Sequence, residues 1–78
     1  MRAKRLQSSL IDRVVFDEER ETLAILFRGS GRRYTYLRVP RAIYDALASA
    51  SSAGRFFNEA IRGQFDCVPD RRRYPLPE

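Results

Sequence analysis

The segment from residue 22 to residue 39 constrains the fold most strongly, because it has the pattern of a β-hairpin. Apolar side chains alternate through its first half, which predicts a strand over residues 22–28 with one buried face. These apolar side chains are Leu23, Ile25 and Phe27. Gly29-Ser30-Gly31 then supplies the positive φ that a tight turn requires. Residues 32–39 are predicted to form the return strand, and side-chain alternation places Arg32, Tyr34, Tyr36 and Arg38 on one face.

Another strand is predicted before this hairpin. Residues 10–16 are rich in β-branched and aromatic side chains, which are typical of strands. Ile11 and Val14 are out of phase with a strict alternation, and this indicates a β-bulge. The polar residues 17–20 separate this strand from the hairpin as a turn.

Two helices are predicted after the hairpin. Pro40 suits the first turn of a helix, and apolar residues three and four apart favour a helix over residues 41–50. Ser51 or Ser52 can cap a second helix that continues to residue 61. The predicted fold class is therefore α+β: a three-stranded antiparallel β-meander followed by two short α-helices (β-β-β-α-α).

The chain length and the cysteine count limit the organisation further. A chain of 78 residues forms one domain, and we expect a flexible basic arm over residues 1–8, the α+β domain over residues 9–66 and an irregular basic tail with prolines over residues 67–78. One cysteine, Cys67, and no histidine leave no internal disulfide and no zinc site. This usage fits the reducing cytoplasm. No apolar run is long enough for a signal peptide or a membrane span. We therefore expect a cytoplasmic protein with no membrane partner, metal or cofactor.

No arrangement of residues points to catalysis. Histidine is absent, and the acids Asp17, Glu18, Glu19 and Glu21 cluster in a turn, where carboxylates are solvated. The chain has no glycine-rich phosphate loop of the Walker or dinucleotide-binding kind. Cys67 has no histidine to activate it as a nucleophile. The sequence therefore predicts a protein that is not an enzyme.

Charge is distributed unevenly along the chain, although the net charge is only +5. Residues 12–21 hold five acids and two bases, whereas residues 28–41 hold five bases and no acid. Successive turns of a meander lie at opposite ends of the sheet, so we expect an acidic end and a basic end. Such a charge separation can steer a polyanion.

The basic strand provides the candidate nucleic-acid site. Arginine forks phosphate groups, and aromatic rings stack on the bases of single strands. The candidate residues are Arg28, Arg32, Arg33, Tyr34, Tyr36, Arg38 and Arg41. In the alternative interpretation both tyrosine rings complete the core, and the opposite face presents Arg33, Thr35 and Leu37. The arginines could equally form a solvated surface balanced by the acidic turn of another molecule.

Ser52 and Gly54 form a candidate anion site, because the amide groups at the start of a helix bind anions. The alternative is that Ser52 is only an N-cap and that Gly54 permits close packing. This second interpretation accounts for the serine with fewer assumptions.

Several motifs together resemble the KTSC domain, over roughly residues 8–66. The matching motifs are Tyr34-x-Tyr36, Val39-Pro40 and Ser52-x-Gly54-x-Phe56-x-Asn58. This domain is found at the carboxyl end of some lysyl-tRNA synthetases and as a stand-alone bacterial or phage-related protein. The resemblance implies no known activity, and RNA binding has been suggested for the family. Phe16 and Phe65 stand where the family often has tyrosine.

Two functions follow from these observations. The first is a small accessory module that binds RNA or single-stranded DNA weakly and with little sequence preference. The second is a protein–protein interaction or self-associating domain, which would use its oppositely charged ends or an exposed edge strand.

Overall fold

The computed structural model describes residues 1–69. A five-stranded antiparallel sheet has the strand order β1-β2-β3-β4-β5, which is the order along the chain. The strands are β1 (Arg2–Arg5), β2 (Ile11–Asp17), β3 (Thr22–Phe27), β4 (Arg33–Tyr36) and β5 (Cys67–Pro69). Between β4 and β5 lie helix α1 (Arg41–Ser49), helix α2 (Ala53–Phe56) and a π-helical turn (Phe57–Ile61) that continues α2.

The predicted α+β class and the central meander β2-β3-β4 are confirmed. Gly29 and Gly31 in the β3–β4 turn have φ values of 87° and 69°, the conformation for which the turn needs glycine. The register between β2 and β3 shifts between Ile11 and Arg13, which is the bulge that the sequence indicated. β4 ends at Tyr36, three residues before the predicted end of this strand.

The prediction of three strands was wrong, because the sheet has one more strand at each edge. Residues 2–5, expected within a flexible arm, form β1 and pair with β2 from Arg2 opposite Phe16 to Arg5 opposite Arg13. All four residues of β1 are exposed, so its sequence carries no alternation of apolar and polar residues. Its pairing depends on the backbone, which every sequence without proline offers.

At the other edge, residues 67–69 of the expected irregular tail form β5 beside β4. Tyr36 lies opposite Cys67, and Tyr34 lies opposite Pro69. A hydrogen bond of 2.8 Å from the backbone N–H of Leu37 to the Asp66 carbonyl precedes this pairing. Proline is tolerated on an edge strand, where its missing N–H costs no ladder bond. The rest of the predicted tail, residues 70–78, lies outside the described residues.

The core lies between one face of the sheet and the helices. Its fully buried side chains come from strands and helices alike: Ile11, Val14, Phe16, Leu23, Ile25, Val39, Leu47 and Ile61. The ring of Phe16 on β2 stacks on Tyr44 of α1, with 5.2 Å between ring centroids. Phe57 at the start of the π-helical turn meets Tyr36 of β4 edge-on at 5.7 Å. These contacts place both helical segments on the same face of the sheet.

The second helix departs from the prediction of one regular helix up to residue 61. Ser52 caps it as predicted, because the Ser52 side chain accepts a hydrogen bond from the backbone N–H of Arg55. The backbone N–H of Arg62 then bonds to the carbonyl of Phe57, five residues earlier, at 2.9 Å. This spacing defines a π-helical turn, an irregularity that often occurs at functional sites.

Candidate nucleic-acid interface

The five candidate arginines do not form one cluster, because they lie at both ends of the short strand β4. Arg28, Arg32 and Arg33 lie at the end of the sheet formed by the β3–β4 turn. Arg38 lies between β4 and α1, and Arg41 is the first residue of α1, so both lie beyond the other end of β4. The acidic turn after β2 lies at that second end, as the meander predicted. A single phosphate backbone that crosses one end of the sheet therefore cannot contact all five arginines there.

Arg28 is occupied within the chain. Its Nε donates to the carbonyl oxygen of Ser8 at 2.8 Å, and its Nη2 donates to that of Leu6 at 3.0 Å. The same guanidinium lies 3.3 Å from a carboxylate oxygen of Asp12. Arg28 thus fastens the β1–β2 loop to the end of β3, which is a structural role.

Arg41 is also paired, at the acidic end of the sheet. Its guanidinium lies 3.5 Å from the carboxylate of Asp45 and 3.9 Å from that of Glu18. Glu18 also accepts a hydrogen bond from Arg2. This bond from Arg2, with a smaller contribution from the charge of Arg41, lowers the pKa of the Glu18 carboxyl below its ordinary value.

The remaining three arginines differ in their exposure and position. Arg32 and Arg38 are exposed, and neither side chain makes a hydrogen bond or ion pair within residues 1–69. Arg38 lies between β4 and α1 and has a φ of 57°, a left-handed conformation. Arg33 is half-buried and lies on β4 opposite Leu26.

The two tyrosines point toward the helices. Tyr36 is 6% exposed, with its ring against Phe57, while Tyr34 is half-buried with its ring edge-on to Phe27 at 5.9 Å. Burial, followed by the effect of the neighbouring Cys67 thiol, raises the pKa of Tyr36 to about 12. A base can stack only on an open ring face, so Tyr36 cannot serve as a platform in this fold. The alternative in which the rings complete the core describes Tyr36 correctly.

Ser52 and Gly54 line an open cleft of about 580 Å³, which lies between the β1–β2 loop and the start of α2. Ser8, Leu10 and Asn58 also line it. A Cβ atom added to Gly54 would lie 3.3 Å from the Cβ of Leu10, tighter than usual side-chain packing. Close approach of loop and helix therefore accounts for Gly54, and N-capping accounts for Ser52.

The helix-free face of the sheet holds two arginines that the sequence analysis missed, Arg5 and Arg13. They lie in one row across the strands with the predicted Arg33, and Leu26 lies between Arg13 and Arg33. Arg5 was assigned to a flexible arm, and the bulge obscured the face on which Arg13 lies. This row can be recognised only when β1 is known to pair with β2. The exposed residues of β1 have no pattern from which this pairing could be predicted.

The described part of the chain has neither a metal-binding cluster nor a membrane-spanning helix. Within residues 1–69 no three His, Cys, Asp or Glu side chains come together in a way that could hold a metal ion. In the same part of the chain, no helix has the length and apolar character to cross a membrane.

Comparison with known proteins decides the family. The KTSC domain family matches residues 7–65. The chain belongs to the KTSC family. A crystal structure of a KTSC domain protein from Yersinia pestis has 36% sequence identity and a TM-score of 0.83, covering 88% of this chain and 96% of that one.

Relatives of this KTSC domain occur as small proteins and within larger ones. A protein of Tsukamurella paurometabola is 36% identical over 81% of this chain and 92% of its own length. An uncharacterized protein of Stutzerimonas stutzeri is 38% identical over 82% of this chain and 89% of its own. A lysine–tRNA ligase of Nostoc punctiforme is 36% identical over 76% of this chain, which is only 10% of the ligase.

The fold explains the residues that carry the family resemblance. In this KTSC domain the Tyr-x-Tyr pair lies on β4 under the helices, where Tyr36 and Phe57 pack together. The segment from Ser52 to Asn58 caps and forms α2, and it lines the cleft beside the β1–β2 loop. Both motifs therefore hold the helices to the sheet, and the arginines on the other face lie outside them.

Proposed function

We propose that this KTSC domain is a non-catalytic module that binds RNA or single-stranded DNA weakly and with little sequence preference. The observation that carries the proposal is the charge at the end of the sheet that includes residues 5–13 and 28–33, which we call the basic end. These two segments hold five arginines and a single acid, Asp12, which is already paired with Arg28. The arginines are Arg5, Arg13, Arg28, Arg32 and Arg33.

The chemistry of the bases favours a phosphate ligand. Fourteen of the fifteen basic residues are arginine, whose planar guanidinium donates two parallel hydrogen bonds to phosphate and stacks on bases. The match within a lysine–tRNA ligase adds support, because a ligase of that name acts on an RNA. The proposal excludes Tyr36 from base contacts because its ring is buried.

The test is a titration of the full chain with fluorescently labelled oligouridylate and oligothymidylate at several salt concentrations. Contacts of Arg5, Arg32 and Arg33 with three phosphates predict that log affinity falls with log salt at a slope of about −2. A labelled duplex of equal charge provides the comparison for single-strand preference. Absence of binding at about 50 mM salt, or a slope near zero, would contradict the proposal.

Self-association is the second candidate function, and the separated charges favour it. The turn after β2 carries Glu18, Glu19 and Glu21 at the end of the sheet opposite the basic end, so two copies could meet head to tail. Sedimentation velocity over a wide range of concentrations at low and high salt tests this function. A monomer at every concentration and salt would contradict it.

A further inference from the structure

The helix-free face of the sheet carries two adjacent cross-strand rows with different chemistry, and the pair Asp17–Thr22 follows them toward the acidic end. The arginine row runs from Arg5 through Arg13 and Leu26 to Arg33. The apolar row lies beside it and contains Ala3, Val15, Ala24, Thr35 and Val68. Residues two apart on a strand share a face, so the two rows are about 7 Å apart, and each strand adds about 4.8 Å along a row.

Exposure and charge distinguish this face from the helix-covered one. Arg5 is exposed and Arg33 is half-buried, so they lie at the accessible positions of the arginine row; Arg13 between them is only 9% exposed. In the apolar row Ala3 is exposed and Val68 is 48% exposed. Among residues 1–69 neither row contains an acid, and Asp17 lies two residues beyond Val15 on the same face of β2. The face therefore offers a positive potential along one line and a shallow apolar surface beside it.

These features complement a single strand of nucleic acid, which has a charged backbone on one side and flat bases with apolar faces on the other. A guanidinium can fork each phosphate, and small side chains leave room for sugars and bases to lie on the sheet. The arginine row spans three strand spacings, about 14 Å, so it is long enough to contact more than one phosphate.

We propose that a single-stranded nucleic acid lies across the helix-free face, with its phosphates along the arginine row and its sugars and bases on the apolar row. The backbone of the ligand then runs perpendicular to the β-strands. This inference rests on the proposed function and assigns its surface: Arg5 and Arg33 hold the phosphates, and Val15, Ala24 and Thr35 meet the sugars and bases. The helix-covered face with Tyr34 and Tyr36 does not contact the ligand, and neither does the cleft lined by Ser52 and Gly54.

Methyl NMR of the wild-type chain tests the location directly, with oligouridylate as the probe. Val15 and Ala24 lie in the apolar row, whereas their neighbours Val14 and Ile25 are buried on the helix-covered face. We expect the methyl resonances of Val15 and Ala24 to shift on titration, while the chemical shifts of Val14 and Ile25 stay unchanged. Binding accompanied by shifts only at the helices or the Ser52 cleft would overturn the inference while leaving the proposed function intact.

Matched charge variants test the energetics. R5Q/R33Q removes two charges from the arginine row, and R20Q/R62Q removes two charges from exposed sites elsewhere. We expect R5Q/R33Q to weaken binding about tenfold at low salt and to reduce the salt slope by about 1.4, the effect of two lost phosphate contacts on a single strand. R20Q/R62Q should show less than half that change in slope. Equal effects of the two variants, each confirmed as folded by circular dichroism, would overturn the inference.

Competition with polyglutamate separates nucleic acid from an acidic protein as the ligand. At equal concentration of negative charge, oligouridylate should displace the labelled strand and polyglutamate should do so poorly. Equal displacement would overturn the assignment to nucleic acid. Absence of binding by any single strand would instead remove the proposed function and this inference together.

Discussion

At the scale of single residues, the fold gives similar side chains different roles. Arg28 and Arg32 flank the same turn, yet Arg28 holds two backbone carbonyls and a carboxylate, whereas the side chain of Arg32 makes no hydrogen bond or ion pair within residues 1–69. Tyr34 and Tyr36 share a face, but Tyr36 is buried whereas Tyr34 is only half-buried. Counting arginines and tyrosines along the sequence could not separate these roles, because they depend on which loop or helix lies opposite.

The two arginines at the turn provide a matched pair for stability. We expect R28Q to lower the free energy of unfolding by roughly 1 kcal/mol, because a charged donor would be lost from two carbonyls and the partial exposure of the site weakens the effect. R32Q should change it by less than about 0.5 kcal/mol, as is usual for surface substitutions. Urea denaturation measures both values. Equal stability of the two variants would contradict the structural role of Arg28.

The buried phenol of Tyr36 makes a prediction about pH. Its pKa is raised from 10.0 to about 12, so the folded state holds the proton more tightly than the unfolded chain does. The stability linked to this proton is fully present below pH 10 and is lost as the pH rises toward 12. A spectrophotometric titration of tyrosinate should show this late step, and Y36F should lack it. A titration complete near pH 10 in the folded protein would contradict the burial of this phenol.

At the scale of whole elements, the sequence predicted those elements that bury a face. The alternation of Leu23, Ile25 and Phe27 identified β3, and the apolar spacing after Pro40 identified α1, because burial leaves a periodic pattern. β1 and β5 escaped prediction because their residues are exposed and their pairing uses only backbone groups. The π-helical turn left no signal, since a bond spanning five residues needs no special side chain.

The first strand should contribute to stability although its side chains are exposed. Deletion of residues 1–5 removes the ladder to β2, the ion pair of Arg2 with Glu18, and the bond of 2.9 Å from Lys4 Nζ to the carbonyl of Ala48 on α1. We expect the free energy of unfolding to fall by about 1–2 kcal/mol, because each hydrogen bond adds a net 0.5–1.5 kcal/mol and the entropy of ordering the strand offsets part of the sum.

Hydrogen exchange of the β2 amides provides the measurement for this deletion, beside urea denaturation of the same variant. A chain with R2Q alone serves as the control, since it loses the ion pair and keeps the ladder. Unchanged protection of β2 after the deletion would mean that the arm is as flexible in solution as its composition suggested.

At the scale of the whole molecule, the meander places the acidic and the basic segments of the chain at opposite ends of the sheet. The prediction of an acidic and a basic end followed from the order of the turns, and the register of β2, β3 and β4 agrees with it. The candidate site was only partly predictable, because the arginine row combines arginines from three strands, β1, β2 and β4, and β1 had no signal in the sequence. Long-range pairing, more than composition, decides which arginines are neighbours.

The separated charges predict how fast a polyanion associates. E19Q/E21Q removes two exposed carboxylates from the acidic end, far from the basic end. We expect the association rate constant for oligouridylate to rise a few-fold at low ionic strength, because the repulsion of the strand falls, and to be unchanged at high ionic strength. Stopped-flow fluorescence measures this rate. An equal effect at both ionic strengths would exclude steering by the charge separation.

The agreement between strand order and chain order also bears on how the protein acquires its structure. Strands β2, β3 and β4 each pair with the strand just before them, so these pairings close short loops at small entropic cost. β5 is the exception, since it reaches β4 only after both helical segments. During synthesis from the amino end the first four strands can assemble as they emerge, and the last strand completes the sheet once the helices have folded down.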